Sequence, residues 1–169
     1  GWEQLGGNKL TGAGRAIHNW NNNINEKYSA IGTNRILYVF SEGAFYDIHP
    51  IRATITGANF TSTASSATVT VTASSAVHGL EEDDIVLFDA VSGLSGSTFT
   101  NATFEDKKFM VTSILSGNSF TITMATTESG TPLTNAGSAS VLCYYSVGPS
   151  IQKGGFGWGT GLFGGTIPG

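Results

Sequence analysis

The chain has 169 residues, a formal net charge of −4, 12% charged side chains and 23 glycines. So acidic and sparsely charged a composition excludes a surface that grips nucleic acid through many Lys–phosphate and Arg–phosphate contacts, because that affinity scales with the phosphates neutralised. The length allows one domain or two small ones, and the Gly, Ser and Thr content fits a turn-rich all-β protein better than a helical enzyme.

In chain order, residues 1–14 are polar and glycine-punctuated, with Trp2 and Leu5 as the large anchors of an irregular lead-in. A chain that opens on Gly1 is expected to be a processed product or part of a longer protein. Arg15 to Trp20 fits either a helical turn or a strand. Asn21, Asn22 and Asn23 stop it, since Asn side chains compete for nearby backbone groups. Tyr28 to Thr33 is a short strand of small residues. The chain is organised around the stretch from Asn34 to Pro50: Arg35 to Phe40 is almost wholly apolar and rich in β-branched and aromatic types, Ser41-Glu42-Gly43 is a turn, and Ala44 to His49 resumes the strand pattern. This is a β-hairpin whose first strand is expected to be buried on both faces, which requires further sheets on either side, as in a sandwich or between the blades of a propeller.

After Pro50, Ile51 to Thr56 alternates as a half-exposed strand, and Gly57 to Ala67 reads as a connection without periodicity, which places a module boundary there. Five strands are expected beyond it: Thr68 to Thr72, Ile85 to Phe88, Phe109 to Leu115, Phe120 to Met124 and Val141 to Tyr145. Ser116-Gly117-Asn118-Ser119 joins the third and fourth as a hairpin, and Thr126 to Ser138 is a polar loop at the rim. Such a set suits a small β-barrel, closed so that no edge is exposed. The last segment alternates glycine with Phe156, Trp158, Leu162 and Phe163. That is too much glycine for a helix and too much aromatic surface for water, so an extended interface arm is expected. The fold expected is thus an all-β, propeller-like antiparallel meander over 1–57, an inserted barrel over 58–147 and an arm over 148–169.

Several of these segments carry a family likeness. Gly1-Trp2-Glu3, Arg15 to Trp20, Ala30 to Thr33, Leu37-Tyr38-Val39, Tyr46 to Pro50 and Gly154 to Gly159 resemble the tail-hub or nozzle proteins of short-tailed bacteriophages, some of them described as packaged-DNA stabilisation proteins. Val77 to Leu80, Asp84, Ile85 to Phe88, Phe109 to Val111 and Ser119 to Ile122 are similar to the small β-barrel of the first catalytic-cysteine half-domain of ubiquitin-activating enzymes, which recurs in phage structural proteins. Where that barrel pattern has a glycine before its aspartate, this chain has Asp83. The likeness implies a non-enzymatic virion protein of the phage tail. Its partners would be further copies of itself in a symmetric ring and other tail or connector proteins, with packaged DNA met by steric contact alone.

The chemistry in the sequence is sparse. His18, His49 and His78 lie too far apart for a zinc motif, and His78 before Gly79 reads as a turn residue. Glu81-Glu82-Asp83-Asp84 lacks the alternating ligands and glycine of a calcium loop and reads as a solvated turn. The lone Cys143 reads as a small buried hydrophobe that gives neither a disulfide framework nor a thiolate metal site. Carboxylate pairs for glycoside hydrolysis could be drawn from Asp47 with Glu42 or Glu105 with Asp106, but nothing sets them apart from turn residues. No nucleophile elbow, phosphate loop or zinc-peptidase motif is present. No apolar run is long enough to span a membrane and no signal peptide opens the chain, so no membrane, cofactor or metal is expected. Three classes remain: a virion structural protein, a carbohydrate- or protein-binding β module of a host-recognition structure, and a hydrolase fragment. A binding module would show exposed coplanar aromatics, a hydrolase a carboxylate pair in a pocket, and a virion protein broad subunit interfaces. The aromatic terminus and the unclosed meander favour the last.

Overall fold

The computed structural model describes residues 10–74 and 77–146. The lead-in anchors Trp2 and Leu5 and the arm residues Phe156, Trp158, Leu162 and Phe163 lie outside the described residues. The fold is all-β. An antiparallel meander of β1 (Gly14–Asn21), β2 (Lys27–Thr33), β3 (Leu37–Ser41) and β4 (Ala44–Asp47) forms a four-stranded sheet in chain order. A closed barrel comes next, built from β5 (Ile51–Ser62), β6 (Thr68–Ala73), β7 (Ile85–Ser92), β8 (Lys107–Ser116), β9 (Ser119–Thr123) and β10 (Ala136–Tyr144), with the strand order β10-β5-β6-β9-β8-β7. A helical turn, α1 (Asn101–Phe104), lies between β7 and β8.

Local chemistry sets the turns. Asn22 Oδ1 accepts from the N–H groups of Ile24 and Glu26, so the asparagine run that ends β1 works through its side chain. Between β3 and β4, Glu42 (φ 50°) and Gly43 (φ 83°) form a two-residue turn with both central residues at positive φ, the twist that suits a right-handed hairpin. Asp83 (φ 74°) takes the left-handed conformation that favours glycine, and Asp84 N closes that turn on Glu81 O.

Period-two alternation builds the barrel core. Val69, Val71 and Ala73 of β6 point inward while the intervening threonines stay outside the core, and Phe60, Phe88, Val111, Phe120, Ile122 and Val141 meet them from the other strands. Phe104 on α1 plugs one end, with its ring 4.4 Å from that of Phe60 and 5.8 Å from those of both Phe88 and Phe109. Burial of a phenylalanine contributes about 1.5–3 kcal/mol, so this cluster alone gives the barrel much of a small domain's core.

Three expectations are corrected. The first strand of the β3–β4 hairpin is not buried on both faces: Leu37 is 38% exposed and Val39 and Phe40 are half-buried, because among the described residues only the Tyr38 region has another layer against it. The connection read over Gly57 to Ala67 is strand as far as Ser62. Gly57 (φ 69°) is a bulge, since Ala139 pairs with Ala58 but Val141 with Ile55, which leaves one extra residue on β5. The barrel therefore has six strands and begins at Ile51. The rim loop is coil over 124–135, and β10 starts at Ala136.

Sheet and barrel meet over a small apolar contact of Ile36 and Tyr38 from the sheet with Ile85 and Tyr144 from the barrel, flanked by Leu10, Ile31 and Leu87. Arg35 adds a bond to the backbone carbonyl of Asp83 and an ion pair with its carboxylate.

Candidate binding surface

At the junction, Asp47 at the end of β4 gathers the polar contacts. Its Oδ2 accepts from the Tyr144 hydroxyl at 2.8 Å and from Lys108 Nζ at 2.9 Å, and its Oδ1 accepts from His49 N at 2.8 Å. Burial pushes this carboxyl up, but the bonds from Lys108, His49 N and Tyr144 outweigh it and hold it below its ordinary range. Burial and the neighbouring Asp47 carboxylate push the Tyr144 phenol well above its own. Lys108 also lies 5.9 Å from the Tyr38 ring centre. With both oxygens engaged by three donors, Asp47 clamps sheet to barrel. Its candidate partner Glu42 sits in the turn five residues away along the strand, about 15 Å distant at the rise of a β-strand and beyond the ~5–10 Å of a glycosidase pair.

The junction covers one face of the sheet, the one that carries Tyr38 and Asp47. Register puts Leu37, Val39, Tyr46, Ala30, His18, Trp20 and Tyr28 together on the other face, and Ile48 lies opposite Leu37, to whose carbonyl its N–H donates. This face is open and apolar: Tyr46 is 53% exposed, Ile48 51%, Leu37 38% and Trp20 37%. On the junction side, Ile17 is 66% exposed beyond the reach of the barrel.

The aromatic side chains on the open face form a row. The His18 and Trp20 rings are 6.0 Å apart and within 18° of parallel, and those of Trp20 and Tyr28 are 5.4 Å apart and within 16°. Six-membered rings lying edge to edge in one plane need more than that spacing, so Trp20 and Tyr28 overlap in offset stacking and cover each other's faces. The row runs along β1 from His18 to Trp20 and crosses to Tyr28 on β2, a stack rather than the flat platform a sugar ring stacks on. Glu26 accepts from the Tyr28 hydroxyl at 2.9 Å, and this bond holds the phenol above its ordinary range.

No protein-family model matches the chain, and no curated protein matches it. Among solved structures it is similar to the Phage phi92 endosialidase, at 21% identity and a TM-score of 0.40, over 72% of this chain and 17% of that one. The chain thus spans about a sixth of that protein's length.

The other residues singled out in the sequence are dispersed. His49 lies at the junction, with Nε2 2.6 Å from Tyr145 O. His78 is a buried turn residue: Nε2 donates to Ser116 O at 3.0 Å and Nδ1 accepts from Leu80 N at 3.0 Å. Glu81, Glu82 and Asp83 are exposed, as a solvated turn requires. Glu105 and Asp106 lie beside Asp89, with one carboxylate oxygen from each within 4.8 Å of the others. Two of the three already accept backbone N–H groups, Glu105 from Val91 and Asp89 from Ala90. Cys143 is fully buried, and burial pushes its thiol up to about 11, as the hydrophobe reading requires.

One residue escaped the sequence reading. Glu128, in the polar rim loop, is 1% exposed. Its Oε1 accepts from Thr98 N and Gly130 N, each at 2.9 Å, and its Oε2 from Ser62 Oγ at 3.0 Å and from Ser97 Oγ. Burial pushes the carboxyl up, but the bonds from Ser97, Thr98 and Ser62 prevail and bring it down to about 2. This is a latch that ties two loops and the end of β5 over the barrel mouth. An acidic residue amid Thr, Ser and Gly gave no signal for it.

Proposed function

We propose that the chain is a non-enzymatic structural module of a bacteriophage tail, a piece of a hub or nozzle in which the meander is one blade-like sheet of a larger β assembly and the barrel is a rigid insertion. The observation that carries this reading is the contrast between the two units. The barrel is closed around its own apolar core, whereas the four-stranded sheet leaves Leu37, Tyr46, Ile48 and Ile17 open on its two faces, as a unit meant to be sandwiched does. The resemblance of Arg15 to Trp20 and Tyr46 to Pro50 to tail-hub proteins supports the same placement. Its partners in this reading are further copies in a ring and other tail or connector proteins. An acidic chain lining such a ring lets DNA pass without adhering to it.

The test is an image of intact particles with this chain labelled. The label should repeat around the tail axis, and the purified protein should not retain duplex DNA at physiological salt. Absence from particles, or a label confined to the capsid, would sink the proposal. Binding of host-surface saccharide by the purified chain would favour the recognition-module reading instead.

A further inference from the structure

The outer edge of β1 is the longest open strand edge among the described residues, because the barrel is closed and β4, the opposite edge, has only four residues with its end held in the junction. All eight residues of β1 are exposed. The strand carries none of the usual protections of an edge: it has no proline and no lysine, and its one charge is Arg15, at the bulge between Gly14 and Ala16. Three backbone bonds fix which groups face outward. Asn22 N donates to Glu26 O, Thr33 N to Ile36 O and Asn34 N to Ala13 O. Bonded and non-bonded pairs alternate in an antiparallel ladder, so His18 bonds Ala30 and Trp20 bonds Tyr28. The N–H and C=O of Ile17, Asn19 and Asn21 therefore point away from β2 into the open edge.

We propose that this edge pairs with the same edge of a second copy, antiparallel about a twofold axis through Asn19. Outward-facing residues must meet outward-facing residues, and side chains directly opposite must share a face. A twofold at Asn19 satisfies both conditions: Asn19 meets the partner's Asn19, Ile17 meets the partner's Asn21, and His18 meets the partner's Trp20. The stacked row then runs unbroken across the seam, from Tyr28 through Trp20 to the partner's His18 and on from His18 to the partner's Trp20 and Tyr28. Axes at Ile17 and His18 set Arg15 of the bulge against Asn19 or Asn21, and an axis at Trp20 carries Ile17 past the strand end to Asn23; of these registers, the axis at Asn19 alone brings two ring pairs together. The two Arg15 side chains end about 26 Å apart, eight residues at the strand rise, so no like charges oppose each other. The barrel meets the sheet through Ile31, Ile36, Tyr38 and Asp47, and every residue of β1 stays exposed. The pairing is independent of the tail reading, because it is tested on the purified chain whatever the particle shows.

Opposite residues of a bonded pair lie about 5.5 Å apart at Cα, within the ~4.4–6.8 Å that a disulfide spans. Asn19→Cys should therefore form a covalent dimer under mild oxidation roughly tenfold or more faster than Ile24→Cys, whose side chain is 74% exposed but off the strand. The native Cys143 is buried and does not compete. Adding Ile17→Pro removes an outward N–H and no β1–β2 bond, so it should cut cross-linking to the control rate without lowering the melting temperature. An edge pair buries less than the ~800 Å² per partner of a standard stable interface, so sedimentation of the unmodified chain should show monomer at about 1 µM and dimer approaching 1 mM. The proposal is overturned if Asn19→Cys cross-links no faster than Ile24→Cys, if Ile17→Pro leaves the rate unchanged, or if the chain stays monomeric throughout.

Discussion

Replacing Glu128 with Gln keeps the shape of the side chain and removes its charge. The four groups that donate to it lose a charged acceptor, and hydrogen bonds to a charged group contribute about 1.5–3 kcal/mol against about 0.5–1.5 for neutral ones. The drop from an ordinary 4.5 to about 2 corresponds to at most about 3 kcal/mol. Glu128 is sealed by polar loop atoms rather than by the apolar core, so screening reduces the effect to about 1–2 kcal/mol. On a domain of this size that is a loss of about 5–10 °C in melting temperature at pH 7. The sign of the pH dependence is set by the depressed value. The contribution is complete above pH 4.5 and is lost as pH falls towards 2, so the native chain weakens through that window on account of this group while Glu128→Gln does not. Thermal unfolding of both chains from pH 7 down to pH 2 measures it. A melting difference below about 1 °C at neutral pH, or one that fails to narrow in acid, would refute the latch.

Residues 51–146 expressed alone should melt cooperatively, whereas residues 10–50 should not, since the sheet on its own exposes both faces; a cooperative transition in the shorter piece would count against an incomplete unit. Asp47→Asn should loosen the junction by about 1–2 kcal/mol, read as faster hydrogen exchange of β3 and β4 amides with the barrel amides unchanged. Tyr144→Phe, which removes one of the bonds to Asp47, should give a smaller shift of the same pattern. Cys143 should not react with a thiol reagent at pH 8 in the native chain and should react at once in denaturant, because its thiol is both buried and held up near 11.

The parts of the fold that were legible in the sequence are those where side-chain alternation and turn chemistry agree. Thr68 to Thr72 alternates without interruption and is β6; Glu42-Gly43 supplies the turn residues for a tight hairpin and makes one. The misreading came from Gly57, whose neighbours look like a loop because a glycine and small polar residues interrupt the period. In the structure that glycine absorbs one extra residue in a bulge, and β5 continues to Ser62. Periodicity cannot tell a bulged strand from a strand that ends, since both lose phase at the same point. Asp83 shows the converse, as a non-glycine residue that takes a left-handed backbone within a turn, with its N–H held by Val111 O.

The surface that matters was legible only in part, and the reason is physical. A sequence shows which residues are apolar, not whether something covers them, so the run from Leu37 to Phe40 was read as buried on both sides. The open face over Leu37, Tyr46 and Ile48 keeps the premise of that reading and moves its conclusion, because these side chains need a cover that the described residues do not supply. The stacked row had no such clue, as His18 and Trp20 are two apart on one strand while Tyr28 joins them only through the β1–β2 register. The face and the edge need different partners, since apolar side chains call for a layer packed upon them and outward N–H and C=O groups call for a strand beside them. A sheet open in both directions can therefore be extended sideways by another copy and covered by another layer at the same time.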